Sequence, residues 1–536
     1  MSEPLITTVA REQTADDKGL KKGAIGLLGS VVVATASTAP AYSLAASLGF
    51  IVATGGGDLL AGVQSPAVIL LAFIPMYFIA QAYKELNQTD PDCGTTFTWA
   101  SRAFGAVTGW MGGWAVIIAD VIVMANLAYV AGQYTFVFIG GFGLPAVAAL
   151  GANVWASTIL GLVWIALMTY ICYRGIEISA RVQYVLLGFE LVLLLVFALV
   201  ALIRVGTGSG EPYSIPFDWS WFSPFGMDFA NVLAPALLTA IFIYWGWDSA
   251  VAVNEETKDP GRTPGRAAVL STVLLLVTYL LVTIATVSFA GVGTKGVGLG
   301  NPDNADDVFS AMAPAVFGDS AIGHVLQVLF AATILTSAAA STQTTILPTA
   351  RTSLSMAVHK ALPAAFAKMH PRYFTPTWST IGMGIASCAF FLVFTLISQN
   401  LLAALIGSLG LMIAFYYGLT GLACVWFYRR TLLASPRNFV FRGLFPLLGA
   451  LFLAVIFVYG VQQYALPDWL TDDDGNNVTI FGIGATAVVG VVGLLIGFVL
   501  MGWWWSRNSA FFRGEVIPRT AYREGEPVRD PNRIVG

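Results

Sequence analysis

Ala34-Thr35-Ala36-Ser37-Thr38-Ala39-Pro40-Ala41-Tyr42-Ser43 lies inside the first long apolar run of the chain, and Ile241-Phe242-Ile243-Tyr244-Trp245-Gly246-Trp247-Asp248-Ser249 lies inside the sixth. A plain membrane helix avoids both strings. In the first, Pro40 removes a backbone donor and, in a continuous helix, clashes with the carbonyl of Ala36. Lipid cannot satisfy the polar backbone so freed, so the segment must be buried in protein or line a wet cavity. The second string sets Gly246 and an acid at a similar depth. Taken singly, Pro40 reads as a kink and Gly246 as a packing glycine. Together, and five spans apart, they predict two broken helices at matching places, the sequence mark of a midplane site between repeats. Spans 1 and 6 then open two five-helix units, spans 1–5 and 6–10.

The rest of the chain agrees with a membrane setting. Of 536 residues, 57% are hydrophobic and 11% charged, against about 25% charged in a soluble domain that must wet its whole surface. The uncharged runs 164–173, 191–203, 270–290 and 480–505 lie in stretches of roughly 20 or more residues, long enough to cross a hydrocarbon core of about 30 Å as helix. The alternating short strands of a barrel are missing. Twelve spans are expected near 24–50, 65–87, 106–134, 153–173, 179–204, 229–253, 267–290, 322–348, 377–398, 401–428, 439–463 and 479–505. With both termini placed in the cytoplasm, every one of the 27 lysines and arginines except Arg204 and Lys295 falls on the inner side, as the positive-inside rule requires. The polar first 22 residues read as a cytoplasmic tail with no cleavable leader. Residues 23–430 form the ten-span core, 431–506 hold spans 11 and 12, and 507–536 form a second cytoplasmic tail. The fold class expected is all-α integral membrane protein.

Three loops carry a family likeness. After span 2 comes Pro91-Asp92-Cys93-Gly94-Thr95-Thr96-Phe97-Thr98-Trp99-Ala100-Ser101-Arg102-Ala103-Phe104-Gly105. After span 6 comes Glu255-Glu256-Thr257-Lys258-Asp259-Pro260-Gly261-Arg262-Thr263-Pro264. After span 8, Arg351 is followed by Leu362-Pro363 and by Pro371-Arg372-Tyr373-Phe374-Thr375-Pro376. In this order and placement they resemble the cytoplasmic signatures of the amino acid–polyamine–organocation (APC) permeases over roughly residues 20–430. The resemblance implies a five-plus-five inverted repeat with a midplane site between spans 1, 3, 6, 8 and 10. Where that family usually has a Gly-Ser-Gly type break, this chain has Ser37-Thr38-Ala39 followed by Pro40, and some relatives that import polyamines look similar at that proline.

Candidate site residues follow from chemistry and from the likeness. Asp120, Glu190 and Asp248 are the acids deep within spans, where a charge costs at least ~2.5 kcal/mol on insertion scales and is functional by default. Asp120 and Asn126 in span 3 are candidates to meet a substrate ammonium. The likeness places Asp248 where relatives carry an acid, and Glu190 where several proton-coupled relatives carry a lysine. Both are therefore candidates for ion coupling. Ser37, Thr38 and Ala39 would offer N–H groups to a carboxylate, because half-helix N-termini are electropositive. Phe242, Tyr244, Trp245 and Gly246 would give carbonyls and an aromatic lid to the amine end, with Phe242 matching the gate residue of relatives. In span 8, Ser341-Thr342 could ligate a small cation; Thr336-Ser337 lies five residues earlier and so is set on another face. Tyr416 and Tyr417 are candidates for the outer vestibule.

Rival chemistries are poorly supplied. His324, His359 and His370 make no metal spacing and there is no phosphate loop; the four cysteines are scattered, without a CxxC. No cofactor, metal or nucleic acid is expected. The reading is a secondary transporter in the cell membrane, moving amino acids by proton-coupled symport. The alternatives are sodium coupling, a polyamine or other amine importer or exchanger, and, further off, a channel or an intramembrane enzyme.

Overall fold

In the computed structural model of the protein, the described residues are 17–55, 61–305, 307–397, 400–471 and 475–523. The acidic run at Asp472, Asp473 and Asp474 lies outside them. Among the described residues, eleven helices are long and apolar enough to cross a membrane. A twelfth, span 6, is divided. Span 1 is Leu27–Ser37 plus Pro40–Ala53; spans 2 to 5 are Ser65–Thr89, Ala106–Gly140, Val154–Tyr173 and Ile176–Gly206. Span 6 is Ala234–Ile243 plus the short Ser249–Ala252, and spans 7 to 10 are Thr263–Ala290, Ala321–Val358, Thr377–Ile397 and Asn400–Tyr428. Spans 11 and 12 are Phe445–Tyr464 and Ala485–Arg507, joined by a small hairpin of Thr479–Ile480 and Ile483–Gly484.

Local chemistry sets the ends. Asn153 accepts from the Ala156 N–H at 3.0 Å to start span 4, and Ser320 accepts from Gly323 at 3.0 Å to start span 8, each satisfying one of the free donors of a first turn. Gly105, at φ 104°, separates the short buried helix Thr96–Phe104 from span 3. Small residues set the packing. A Cβ on Gly132 would lie 2.1 Å from the Ser157 carbonyl, and one on Gly161 would lie 2.5 Å from that of Ala128. Spans 3 and 4 therefore pack backbone to backbone, the usual route to tight helix association in lipid. Val185, Val192, Leu199 and Val499 are exposed, a surface that only lipid would cover without cost.

The basic loops gather on one face. Lys18 reaches Asp92 and Glu255; Arg174 stacks on Tyr373; Arg437 and Arg442 hold Glu85; Trp504 donates to the Lys360 carbonyl at 3.0 Å. Loops 2–3, 4–5, 6–7, 8–9 and 10–11 and both tails thus meet at this basic face. Arg204 bonds instead to the carbonyls of Ala315 and Val316, in the helix Val308–Phe317 of the opposite face.

Candidate functional site

The two broken spans meet at their breaks. Span 1 stops at Ser37, Ala39 takes the left-handed conformation at φ 46°, and Pro40 opens the second half-helix at its first turn. The clash expected between Pro40 and Ala36 is thereby avoided. At that position proline gives up only a donor that no helix would use, and its φ is already right. Span 6 unwinds over 244–248, where Gly246 sits at φ 118°. A Cβ on Gly246 would come within 2.7 Å of the Ser37 carbonyl oxygen, so one break lies directly on the other and only glycine fits.

Glu190 joins three spans. Its Oε1 accepts from the backbone N–H of Ala41 at 2.8 Å and from Ser337 Oγ at 2.7 Å, while the Tyr42 N–H reaches the same serine oxygen at 3.2 Å. The carboxyl of span 5 therefore sits at the electropositive start of the second half of span 1 and is fully buried, with Oε2 unmatched. The first-turn donors thought open to a substrate carboxylate are already engaged, Ala41 by Glu190 and Tyr42 by Ser337. The amides of Thr38 and Ala39 turn back to Thr35 and Ala36 at 3.2 Å. Ser341 donates to the Ser37 carbonyl at 2.9 Å. Ser337 and Ser341 are four residues apart and share a helix face toward span 1, which the pairing by adjacent residues had hidden.

The other acids have separate hydroxyl partners. Asp248 accepts from Tyr417 at 2.9 Å and from Tyr416 at 3.1 Å, and the Trp245 indole N–H points at the Tyr416 oxygen. Thr349 of span 8 donates to Asp120, and Tyr42 donates to Asn126. Asp120 and Asp248 are close enough to act on each other electrostatically. Among the described residues no lysine or arginine pairs with any of these three acids. Phe242 and Trp245 are buried. Tyr244 turns away, donating to the Ile69 carbonyl at 3.2 Å and packing on Tyr279. Thr342 bonds along its own helix to Ala338 at 2.8 Å. Ser337, set on another face in the sequence reading, joins the site, and residues missed in sequence include Thr349 and Tyr279, whose hydroxyl donates to the Ile243 carbonyl at 2.6 Å, where span 6 unwinds.

Toward the basic face the site is shut. Trp247 packs on Tyr417 and Tyr83, and Tyr83 on Trp99, with ring centres 4.9 to 5.3 Å apart. Beyond them, buried Lys18 lies 3.0 Å from Asp92, and Arg351 makes a bidentate pair with Glu256 at 2.9 and 3.0 Å. Asp92, Cys93 and Glu255 cluster closely enough to suggest a cation site, but the Lys18 ammonium is the cation they meet. Burial pushes the nearby His359 imidazole down to about 4, so it adds no charge there at neutral pH.

Comparison with known proteins gives this arrangement a context. Residues 30–468 match the family model described as amino acid permease. The branched-chain amino acid permease BcaP of Bacillus subtilis is 26% identical over 238 residues, 43% of this chain and 49% of that protein. The methylthioribose transporter of the same organism is 28% identical over 351 residues, covering 63% and 69%. The chain thus spans about half the length of that BcaP. The solved structure of MhsT in complex with L-phenylalanine superposes with a TM-score of 0.57 at 15% identity, over 82% of this chain and 99% of that one, a likeness of fold. With a family model matched across most of its length and its breaks set face to face, the chain belongs to the amino acid permease family of the APC superfamily.

Proposed function

We propose that this transporter moves amino acids across the cell membrane by alternating access, driven by a proton carried on Glu190. The observation that carries the coupling is the joint at Glu190. One carboxyl oxygen holds span 1 and span 8 together while the other is unmatched. A proton arriving on or leaving Oε2 changes the charge at the head of a half-helix, and so its attraction to that end, without first breaking either accepted bond. Asp120 and Asp248 supply the negative field for a substrate ammonium, and Phe242 and Trp245 the apolar cover. Both termini are assigned to the cytoplasm from the bias of basic residues.

Counterflow of a panel of labelled amino acids and amines in proteoliposomes tests the substrate class. Glu190→Gln tests the coupling: exchange of substrate for substrate is expected to survive, while accumulation on an inward pH gradient falls to equilibrium. A strict need for sodium, or a Glu190→Gln protein that still concentrates substrate on the pH gradient, overturns the proton assignment.

A second reading has its own support. The first-turn amides of the half-helix Pro40–Ala53 are taken by Glu190 and Ser337, which favours an amine without a carboxylate, such as a polyamine. Counterflow by diamines in preference to amino acids would select it.

A further inference from the structure

At the basic face, the end of span 10, the end of the helix Thr96–Phe104 and the C-terminal tail line a cleft of about 570 Å³. Arg429, Arg430, Arg519 and Arg523 line it, with Arg102 and Trp426, and among the described residues no acid does. Arg102 is committed to Asp90. Arg429, Arg430 and Arg519, by contrast, have no carboxylate partner among the described residues. These three like charges in one recess repel one another unless an anion joins them.

The recess is built rather than incidental. Arg429 lies over the Trp426 ring at 4.5 Å and donates to the Trp426 carbonyl at 2.6 Å, which fixes its direction. The Arg519 guanidinium rests on Gly105, where a Cβ would come within 2.5 Å of its Nε. The tail forms one wall through two backbone bonds, Thr520 N–H to the Arg102 carbonyl and Tyr522 N–H to the Phe427 carbonyl, both 2.9 Å.

A separate observation says where the anion comes from. Leu422 and Trp426 are both exposed, at 40% and 48%, and lie four residues apart on span 10, just inside Arg429 and Arg430. Together they make an apolar track leading out of the cleft along the span. A tryptophan so placed marks headgroup depth, and a basic recess at that depth suits an anionic headgroup. Guanidinium groups also match phosphate oxygens in shape and charge.

We propose that this cleft binds the phosphate of an anionic phospholipid, with an acyl chain along Leu422 and Trp426, and that the bound lipid fastens the C-terminal tail to the transporter. The assignment is independent of the substrate and of the coupling ion.

The test uses the full-length protein in detergent, with phosphatidylglycerol or phosphatidylcholine added. Retained lipid is read by native mass spectrometry, and the tail by its rate of tryptic cleavage. Phosphatidylglycerol is expected to be retained and to slow cleavage, and phosphatidylcholine to do neither. Each of Arg429→Gln, Arg430→Gln and Arg519→Gln should weaken retention about five-fold, the share of one basic side chain near an anionic surface. Arg430 is exposed, so its single variant keeps the test open if the triple variant does not fold. Lys84→Gln/Arg266→Gln, in a separate basic cleft lined by Lys84, Arg262, Arg266 and Arg437, should retain lipid as the wild type does. Protection of the tail by soluble glycerol phosphate, lost in the triple variant, would support the phosphate site and assign it a soluble source. Equal retention by the triple variant and the wild type, or an equal loss in the Lys84/Arg266 control, overturns the proposal.

Discussion

Gly246 shows how much can rest on one missing side chain. Its φ of 118° and its contact with Ser37 each exclude a Cβ, so Gly246→Ala meets a conformational cost and a steric one together. A loss of about 2 kcal/mol or more is expected from backbone strain of this kind, together with loss of counterflow. The measure is the thermal midpoint of the purified protein, with Gly188→Ala as control, since nothing lies within 4 Å of a Cβ there. An unchanged midpoint in Gly246→Ala would mean that the two breaks do not need this contact. Gly246, Pro40 and the three deep acids were legible in the sequence because such residues stand out against an apolar run. Their partners were not. Ser337, Thr349, Tyr42 and Tyr279 are ordinary in membrane helices, and only the rotation of each helix decides which hydroxyl meets which acid.

Among the helices, the breaks themselves could be placed within a residue or two, but their chemistry was harder to foresee. Pro40 begins a half-helix instead of distorting a whole one, and Glu190 fills the electropositive end that had been reserved for substrate. That outcome depends on span 5 crossing span 1 at this height, which no local pattern encodes. The closure at the basic face was also hidden, because Lys18 and Asp92 are 74 positions apart and Lys18 and Glu255 are 237 apart. Removing one partner from a buried ion pair costs about 3–5 kcal/mol. Lys18→Ala should therefore destabilise the closed arrangement and uncover Cys93, which is fully buried beside Glu255. Mass spectrometry of maleimide-treated protein should find the Cys93 adduct rising while Cys172 and Cys424 stay protected. Continued protection of Cys93 would show that Lys18 does not keep this face shut.

The architecture as a whole was the most legible layer, since span number and the sorting of basic loops follow from hydropathy and charge alone. Orientation is open to direct measurement. Asn476→Cys in a cysteine-free background, in the exposed turn between spans 11 and 12, should react with an impermeant maleimide in intact cells, whereas a cysteine in the C-terminal tail should not. The opposite pattern would invert the protein in its membrane. The contact between the two broken spans also bears on rate. Ile25 pairs with Thr257 as a parallel bridge, the Lys258 N–H reaches the Ile25 carbonyl at 2.9 Å, Ser249 reaches the Val33 carbonyl at 3.3 Å, and Gly246 lies on Ser37. From the basic face to the centre, these halves of spans 1 and 6 are laced together like the two sides of a splint. They cannot swing separately without breaking that lacing, so release toward this face should cross one barrier, and a substitution that loosens either half should change the speed of both.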